Sequence, residues 1–372
     1  MAQLKRSPFY AQWRGHIKKL FHMPQLHYCA QSRPRLQAFI RIAQWNIEKG
    51  KNFKAIMDRI TADEVLRWAD IFILNEADWG MIRSQNRHVA KALAEELGMH
   101  MAFAPAHLEL TKGTGEELEI DGENRESLQG NAILSRYPIV EARVVPLPKT
   151  FEAFDFHEKR FGQRNCLWAR IQLNHDSLWI GSVHLELRNT PRCRARQMAH
   201  IMAHLPDGGL GAYILGGDLN TNTFERATHW RTAKSFLRLW FSSPSELKTS
   251  LLNPDQGREP LFKILKSYGF AWEGFNAYEE TARVPIDSLE ESSALPRFLQ
   301  NSIKRKLEPY DGFLCFKLDW IVGKNIRPLA EGEMMDASTQ VVSRRAASIK
   351  GDNSSPDRAS DHLPICADIA LK

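Results

Sequence analysis

The stretch Tyr213-Ile-Leu-Gly-Gly-Asp-Leu-Asn220 constrains this chain more than any other. A short apolar run ends in two glycines and then presents Asp218 and Asn220 two residues apart, which reads as a buried strand delivering polar side chains at its end. Positions i and i+2 of an extended segment face one side, so the carboxylate and the amide share a reaction centre. Gly216 and Gly217 remove side-chain bulk and let another backbone or a ligand come close. Asp and Asn after a strand are also ordinary turn formers. Polar residues that end other apolar runs decide between the two readings.

Such residues recur along the chain. Gln37 to Asn46 alternates and predicts a first strand ending at Trp45-Asn46-Ile47-Glu48. A helix with Phe53, Ile56, Met57 and Ile60 on one face follows, then a strand from Asp70 to Glu76. Gln85 to Leu97 reads as a helix with Gly98 as its C-cap, Met99 to Ala104 as a strand, and 111–129 as an exposed acidic loop. Asn131 to Arg136 restarts the sheet. A polar connection through 151–162 leads to strands at Cys166 to Leu173 and Leu178 to Leu185, the second carrying His184. Arg192 to Leu205 is helical and returns the chain to the Gly-Gly-Asp strand. Helices at Arg226 to Trp240 and Pro260 to Tyr268 follow, 282–310 shows no clear period, and strands close the chain at Phe316 to Val322, with Asp319, and Pro364 to Ala370. Ser360-Asp361-His362 stands just before the last strand.

With 43% hydrophobic and 25% charged residues among 372, a disordered chain is excluded. No run approaches the roughly 18–20 apolar residues of a membrane span, and residues 1–41 show no secretory h-region, so the expectation is a soluble, cytoplasmic protein without a transmembrane segment. Five cysteines, odd in number and never in a Cys-x-x-Cys pair, fit neither a disulfide framework nor a zinc site. The net charge of +6 is uneven: residues 1–47 carry eight Lys and Arg and no Asp or Glu, and subtracting eight from +6 leaves −2 for the remainder. Phe9, Trp13, Ile17, Leu20 and Phe21 recur there at helical spacing among Arg14, Lys18 and Lys19. This amphipathic helix either docks its stripe on the domain or lies on an anionic membrane or nucleic acid. The expected organisation is a basic arm over 1–37 and one catalytic domain over 38–372.

Collected together, Asn46, Glu76, Asn131, His184, Asp218, Asn220, Asp319, Asp361 and His362 end or interrupt apolar strands. Carboxylate and amide oxygens suit a hard cation such as Mg²⁺, with Mn²⁺ as the second candidate, whereas zinc would want more His or Cys. Near such a cation a phosphoester oxygen is polarised, an Asp or His positions the attacking water, and an imidazolium stabilises developing charge.

In this order the motifs resemble the endonuclease/exonuclease/phosphatase superfamily. The resemblance rests on Trp45-Asn46-Ile47, Leu74-Asn75-Glu76, Gly130-Asn131-Ala-Ile-Leu-Ser135, Val183-His184-Leu185, Gly217-Asp218-Leu-Asn220, Leu318-Asp319-Trp320 and Ser360-Asp361-His362. It implies an α/β fold in which a two-sheet β-sandwich is flanked by helices in four layers. It implies metal ligation by Glu76 with Asn46 and Asp361 beside it, and a nucleophilic water held by Asp218. It gives Asn131 and Asn220 to phosphate oxygens or that water, makes Asp319–His362 an acid/base pair, and puts His184 on the phosphate. Arg164 lies where some members bind phosphate. Ser182-Val-His184 differs from the Tyr and Asn of the exonuclease III-like branch, and the Trp-Cys-Asp-Arg of inositol 5-phosphatases is missing around Asp319. Asn75 replaces the usual Gln before the metal-binding Glu. The resemblance implies a metal-dependent phosphodiesterase or nuclease. Its alternatives are a phospholipid or sphingomyelin-type phosphodiesterase held at a membrane by the arm, and a small-molecule phosphatase.

Overall fold

A computed structural model describes residues 2–154, 158–174, 176–224, 241–285, 312–351 and 357–370, with isolated positions between 298 and 308. Its strands in chain order are β1 (Gln25–His27), β2 (Phe39–Asn46), β3 (Ile71–Trp79), β4 (His100–Glu109), β5 (Leu128–Ser135), β6 (Ile139–Pro146), β7 (Arg160–Gly162), β8 (Asn165–Gln172), β9 (Ser177–His184), β10 (Ala212–Asp218), β11 (Ala282–Pro285), β12 (Phe313–Phe316), β13 (Asp319–Lys324), β14 (Ala347–Ser348) and β15 (Ile365–Ala370). Its helices are α1 (Ala2–Lys5), α2 (Pro8–His22), α3 (Phe53–Ala62), α4 (Val89–Leu97), α5 (Pro191–Ala203), α6 (Pro244–Leu252) and α7 (Leu261–Ser267).

Eight strands form one sheet in the order β1-β4-β5-β3-β2-β15-β14, with β7 added on β4. Five form a second, β13-β10-β9-β8-β6, and β11 pairs with β12 in a small ribbon. The strands of the central run are buried on both faces because each sheet is covered twice. Ile42, Ile71, Ile73 and Ile133 of the large sheet meet Leu167, Ile180, Ile214 and Ile321 of the other in one core. Behind the large sheet, Ile56, Ile60, Leu93 and Leu97 of α3 and α4 pack on Trp45, Phe72 and Phe103. Behind the second, Met198 and Ile201 of α5 and Phe262 of α7 pack on Trp168, Trp179 and Trp320. The result is a four-layer α/β sandwich. Arg41, a charge inside β2, is tolerated because Asp368 on the neighbouring β15 takes its Nε and Nη2, both at 2.8 Å.

Local chemistry sets the helix limits. Asn52 caps α3 by accepting from Ala55 N, and Gly98 ends α4 in the left-handed conformation. The helix expected from Gln85 starts only at Val89, because Gln85 and Asn86 are themselves left-handed and His88 is the N-cap. The strand expected at 99–104 runs on to Glu109. The single strand expected from Phe316 to Val322 is two, β12 and β13, in different sheets. Strands β1, β6, β7, β11 and β14 and helices α1 and α6 were not anticipated; α6 starts at a Ser243–Glu246 capping box. The helix expected over 226–240 lies outside the described residues. Residues 25–27 of the basic segment pair with β4, and α2 lies along β4 and β6.

Candidate functional site

Register in the smaller sheet builds the centre of the site. Asp218, at the end of β10, stands opposite His184 on parallel β9 and opposite Asp319 on antiparallel β13. One row across three strands therefore holds His184, Asp218 and Asp319. The close packing of that row depends on Gly217, whose φ is +151°; a Cβ there would lie 1.7 Å from the Val183 carbonyl oxygen. The large sheet contributes Asn46 at the end of β2, paired in register with Asn75 on β3. Between Leu74 and Ala77 the β3–β5 ladder slips, and Glu76 takes a left-handed φ of 57°. That irregularity lets Asn75 face the inter-sheet interior while Glu76 reaches the cleft, as bulges beside functional sites commonly do.

Asp218 lies at the centre of the site. Its Oδ2 lies 3.2 Å from His184 Nε2, 3.1 Å from the donating Asn46 Nδ2 and 3.9 Å from His362 Nε2, while Oδ1 accepts from Asn220 N at 2.9 Å. Burial, with Asp319 and Glu76 adding to it, pushes the Asp218 carboxyl up to about 7. His362 Nδ1 sits 2.7 Å from Asp319 Oδ2. Burial works against charge on that imidazole, but Asp319, Asp361 and Asp218 outweigh it and hold the imidazolium well above its ordinary range. Asp319 is held low in turn: His362 overcomes its burial, and Thr281 and Gln44 bond it as well. His184 goes the other way, kept neutral by burial and by the surrounding cations, Arg164 first. The site thus carries one charged and one neutral histidine on the same carboxylate.

A buried chain of amides braces these groups from within the sandwich. Gln44 Nε2 donates to Asp319 Oδ1 at 3.0 Å and to Asn75 Oδ1 at 3.2 Å. Asn75 Oδ1 also accepts from Asp218 N at 2.8 Å, and its Nδ2 donates to Asn131 Oδ1 at 2.9 Å and to the Val183 carbonyl at 3.1 Å. Asn131 passes the chain to Asn165, whose Oδ1 accepts at 3.0 Å. Ser360 fixes the last loop, donating to the Asn46 carbonyl at 2.6 Å and accepting from His362 N at 3.1 Å.

A cleft of about 400 Å³ opens over the site. Glu76, Arg164, His184, Asp218, Asn220, Asp361 and His362 line it, as do Lys149 and Arg160. Asn46, Asn131 and Asp319 lie behind this surface. Asn131 is thus brought to the site but not to its face; its amide is engaged with Asn165 and Asn75. Arg164 has its Nε buried without a hydrogen-bond partner beside the cleft. Arg160 is anchored by Glu109 at 3.0 Å, and Lys49 and Arg83 share Glu117 and Glu158.

Asp361 stands with Glu76 at the acidic corner of the cleft. Burial raises its pKa, and Glu48 and Glu76 add to the rise against His362. Carboxylates that repel each other in a buried corner are relieved by a cation. Among the described residues no three His, Cys, Asp or Glu side chains form a metal cage. Two carboxylates and an amide fit Mg²⁺ better than zinc, because Mg²⁺ keeps waters and takes phosphate oxygens for its other positions.

Sequence reasoning missed Gln44, Asn165, Thr281 and Lys317. Gln44 had a signal: it stands two residues before Asn46, hence on the same face of β2, as a polar residue in an apolar run. Lys317, fully buried and donating to the Asp319 carbonyl at 2.9 Å, likewise interrupts Phe316 and Leu318. Thr281, whose Oγ1 accepts from Asp319 N at 3.1 Å, stands just before the segment without period at 282–310.

Comparison with known proteins adds to this geometry. No curated protein matches the chain. Among solved structures, an endonuclease/exonuclease/phosphatase protein from Beutenbergia cavernae shares 16% identity over 90% of this chain and 72% of its own, with a TM-score of 0.49. The human Nocturnin catalytic domain shares 15% over 94% and 97%, with a TM-score of 0.47. A 3'-5' exonuclease from Neisseria meningitidis shares 14% over 89% and 100%, also at 0.47. The family model described as the Endonuclease/Exonuclease/phosphatase family matches residues 43–362, which include every motif from Trp45 to His362. The chain therefore belongs to the Endonuclease/Exonuclease/phosphatase family.

Proposed function

We propose that the protein is a Mg²⁺-dependent phosphodiesterase, with Mn²⁺ as an alternative ion, and that the row His184–Asp218–Asp319 with His362 is its catalytic centre. Members of this family hydrolyse phosphoesters, generally with a divalent metal. The observation that carries the reading is the shared carboxylate: Asp218 Oδ2 meets His184 at 3.2 Å, while His362, 3.9 Å away, is tied to Asp319 at 2.7 Å.

Each residue has a part that follows from its surroundings. Asp218, held by Asn46 Nδ2 and Asn220 N and lining the cleft, orients the attacking water. His362 is charged, and its Nε2 is the donor available to a phosphate or leaving-group oxygen, with Asp319 fixing the ring's orientation by accepting from Nδ1. Neutral His184 and cationic Arg164 receive the phosphate. Asn220 lines the same wall, and Asn131 acts by positioning Asn75. Glu76, Asp361 and Asn46 are the residues that would hold the cation, which supplies Lewis-acid polarisation of the phosphoryl oxygen.

The test is hydrolysis of a panel of phosphodiesters and phosphomonoesters by the full chain, treated with EDTA and then resupplied with Mg²⁺. Activity should vanish and return. Glu76→Gln should raise the Mg²⁺ concentration needed for half-activity, whereas Asp218→Asn should lower turnover at saturating Mg²⁺. Full turnover in chelator, or in Asp218→Asn, would overturn the assignment.

A further inference from the structure

The apolar stripe of the basic segment splits in three dimensions. Helix α2 begins at Ser7, whose side chain accepts from Tyr10 N, with Pro8 at its first position. At 100° per residue, Tyr10, Ile17 and Phe21 fall on one line, and these side chains are half-buried. Tyr10 and Phe21 each place their ring 6.1 Å from that of Phe161 on β7. This face is occupied by the protein itself. Phe9 and Trp13 lie on the shoulder of that stripe and remain 64% and 43% exposed, their rings 6.4 Å apart.

Exposure of this kind is concentrated here. Among the described residues fifteen large apolar side chains stand exposed, and five of them, Phe9, Trp13, Met23, Leu26 and Tyr28, belong to residues 9–28. The same region carries only one sign of charge. Lys5, Arg6, Arg14, Lys18 and Lys19 are all exposed, none pairs with a carboxylate among the described residues, and residues 1–47 contain no Asp or Glu.

We propose that α2, with Phe9 and Trp13 as its inserted side chains, is a docking surface for an anionic phospholipid bilayer. A folded helix already anchored along one face, presenting aromatics between Lys and Arg, matches the interfacial helix that lies in the headgroup plane. Each basic residue near an anionic surface adds favourable energy, and the aromatics add apolar burial. Phosphate-reading alone does not account for the apolar members: Phe9, Met23 and Leu26 have no side-chain donor for a backbone phosphate, and Met23 and Leu26 have no ring to stack on a base. Hydrocarbon is where all of them gain.

The docking surface is also close to the cleft. Arg160 and Gly162 line the cleft wall, Phe161 between them packs on Tyr10 and Phe21 of α2, and a Cβ on Gly162 would lie 3.2 Å from the Phe21 ring. Helix α2 therefore lies between a bilayer on its exposed side and the strand that carries one wall of the cleft.

The test is co-sedimentation of the full chain with vesicles of phosphatidylcholine alone and with vesicles of phosphatidylcholine and phosphatidylglycerol in equal parts. The protein should sediment with the mixed vesicles only. Phe9→Ser with Trp13→Ser should weaken that binding by roughly tenfold or more, and Arg14→Glu with Lys18→Glu should remove the preference for the anionic lipid. Both variants should keep the wild-type melting temperature and wild-type turnover of a small soluble phosphodiester. Failure of the wild type to sediment, or unchanged binding by Phe9→Ser with Trp13→Ser, would overturn the proposal. So would retention on a single-stranded oligonucleotide that depends on Phe9 and Trp13 while vesicles are ignored, which would make the surface a nucleic-acid interface.

Discussion

Replacing Gln44 by Met separates bracing of the site from bracing of the fold. Gln44 is fully buried and donates to Asp319 Oδ1 at 3.0 Å and to Asn75 Oδ1 at 3.2 Å. The first bond is to an ionised carboxylate, worth about 1.5–3 kcal/mol, and the second is neutral, worth about 0.5–1.5 kcal/mol. Gln44 also carries a cost, because its own Oε1 is buried without a partner, and removing that atom returns about 1 kcal/mol or more. Met fills nearly the same volume, so no cavity term is added. The net loss of stability is then about 1–3.5 kcal/mol, a few degrees in melting temperature. Activity should fall as well. Asp319 keeps His362 and Thr281 but loses the Gln44 donor on its Oδ1, and it is Asp319 that aims His362 through the 2.7 Å bond. A loss of roughly 10- to 100-fold in kcat corresponds to about 1.4–2.8 kcal/mol of transition-state stabilisation. Steady-state hydrolysis of a chromogenic phosphodiester, at Mg²⁺ concentrations that saturate wild type and variant alike, gives kcat and KM separately, and a thermal melt gives stability. A kcat within twofold of wild type beside the expected melting shift would refute the reasoning, since the bond would then hold only the fold.

Two further predictions concern the frame. Gly217→Ala should fail to accumulate as soluble protein or melt more than ten degrees lower, because its Cβ would meet the Val183 carbonyl oxygen at 1.7 Å, whereas Gly98→Ala, with open space around its Cβ, should cost only about 1 kcal/mol; equal melting temperatures for the two would contradict the account of the glycine pair. Burial raises the Asp70 carboxyl to about 7, so the folded protein binds a proton there that the unfolded chain has already released above about pH 4. Its contribution to stability is therefore complete below that pH and is lost as pH rises to about 7, with a slope of at most about 1.4 kcal/mol per unit. Asp70→Asn keeps the acceptor for Arg35 N, 2.8 Å away, and should flatten that decline in urea melts between pH 5 and pH 8; an unchanged pH profile would show that Asp70 does not titrate in this range.

The parts of the fold legible in the sequence were those governed by short-range period. The strands that end in Asn46, His184 and Asp218 declared themselves by apolar runs that stop at a polar residue, whereas Asn220 joins Asp218 at the cleft through a turn, with a φ of +50° and its N bonded to Asp218 Oδ1, and not through the two-residue period of a strand that already ends at Asp218. What stayed hidden depends on geometry between segments far apart in the chain. A strand ending at Glu76 was readable, but the strand runs on to Trp79, and the slip beyond Leu74 that aims Asn75 inward and Glu76 outward appears only in the pairing with β5. Strand β1 is three residues long and β7 likewise, too short to show alternation. In α2, a 3–4 spacing placed five apolar residues on one stripe, yet which part of a stripe touches the protein is set by the angle at which the helix lies on β4 and β6. That angle leaves Phe9 and Trp13 outside.

The same amides that orient the site also fix how the two sheets meet. Gln44, in the large sheet, donates to Asp319 in the other, and Asn75, in the large sheet, accepts from Asp218 N in the other. A one-residue slip of either strand would turn these groups to the opposite face and leave several buried polar atoms unpaired. An apolar core of Ile, Leu and Val tolerates small shifts of packing at modest cost; this polar seam does not. Most of the sandwich is therefore free to gain stability from nonspecific burial, while the row His184–Asp218–Asp319 is pinned where the seam crosses it. Substitutions in the seam should accordingly move activity out of proportion to melting temperature, and substitutions in the apolar core between the sheets should do the reverse.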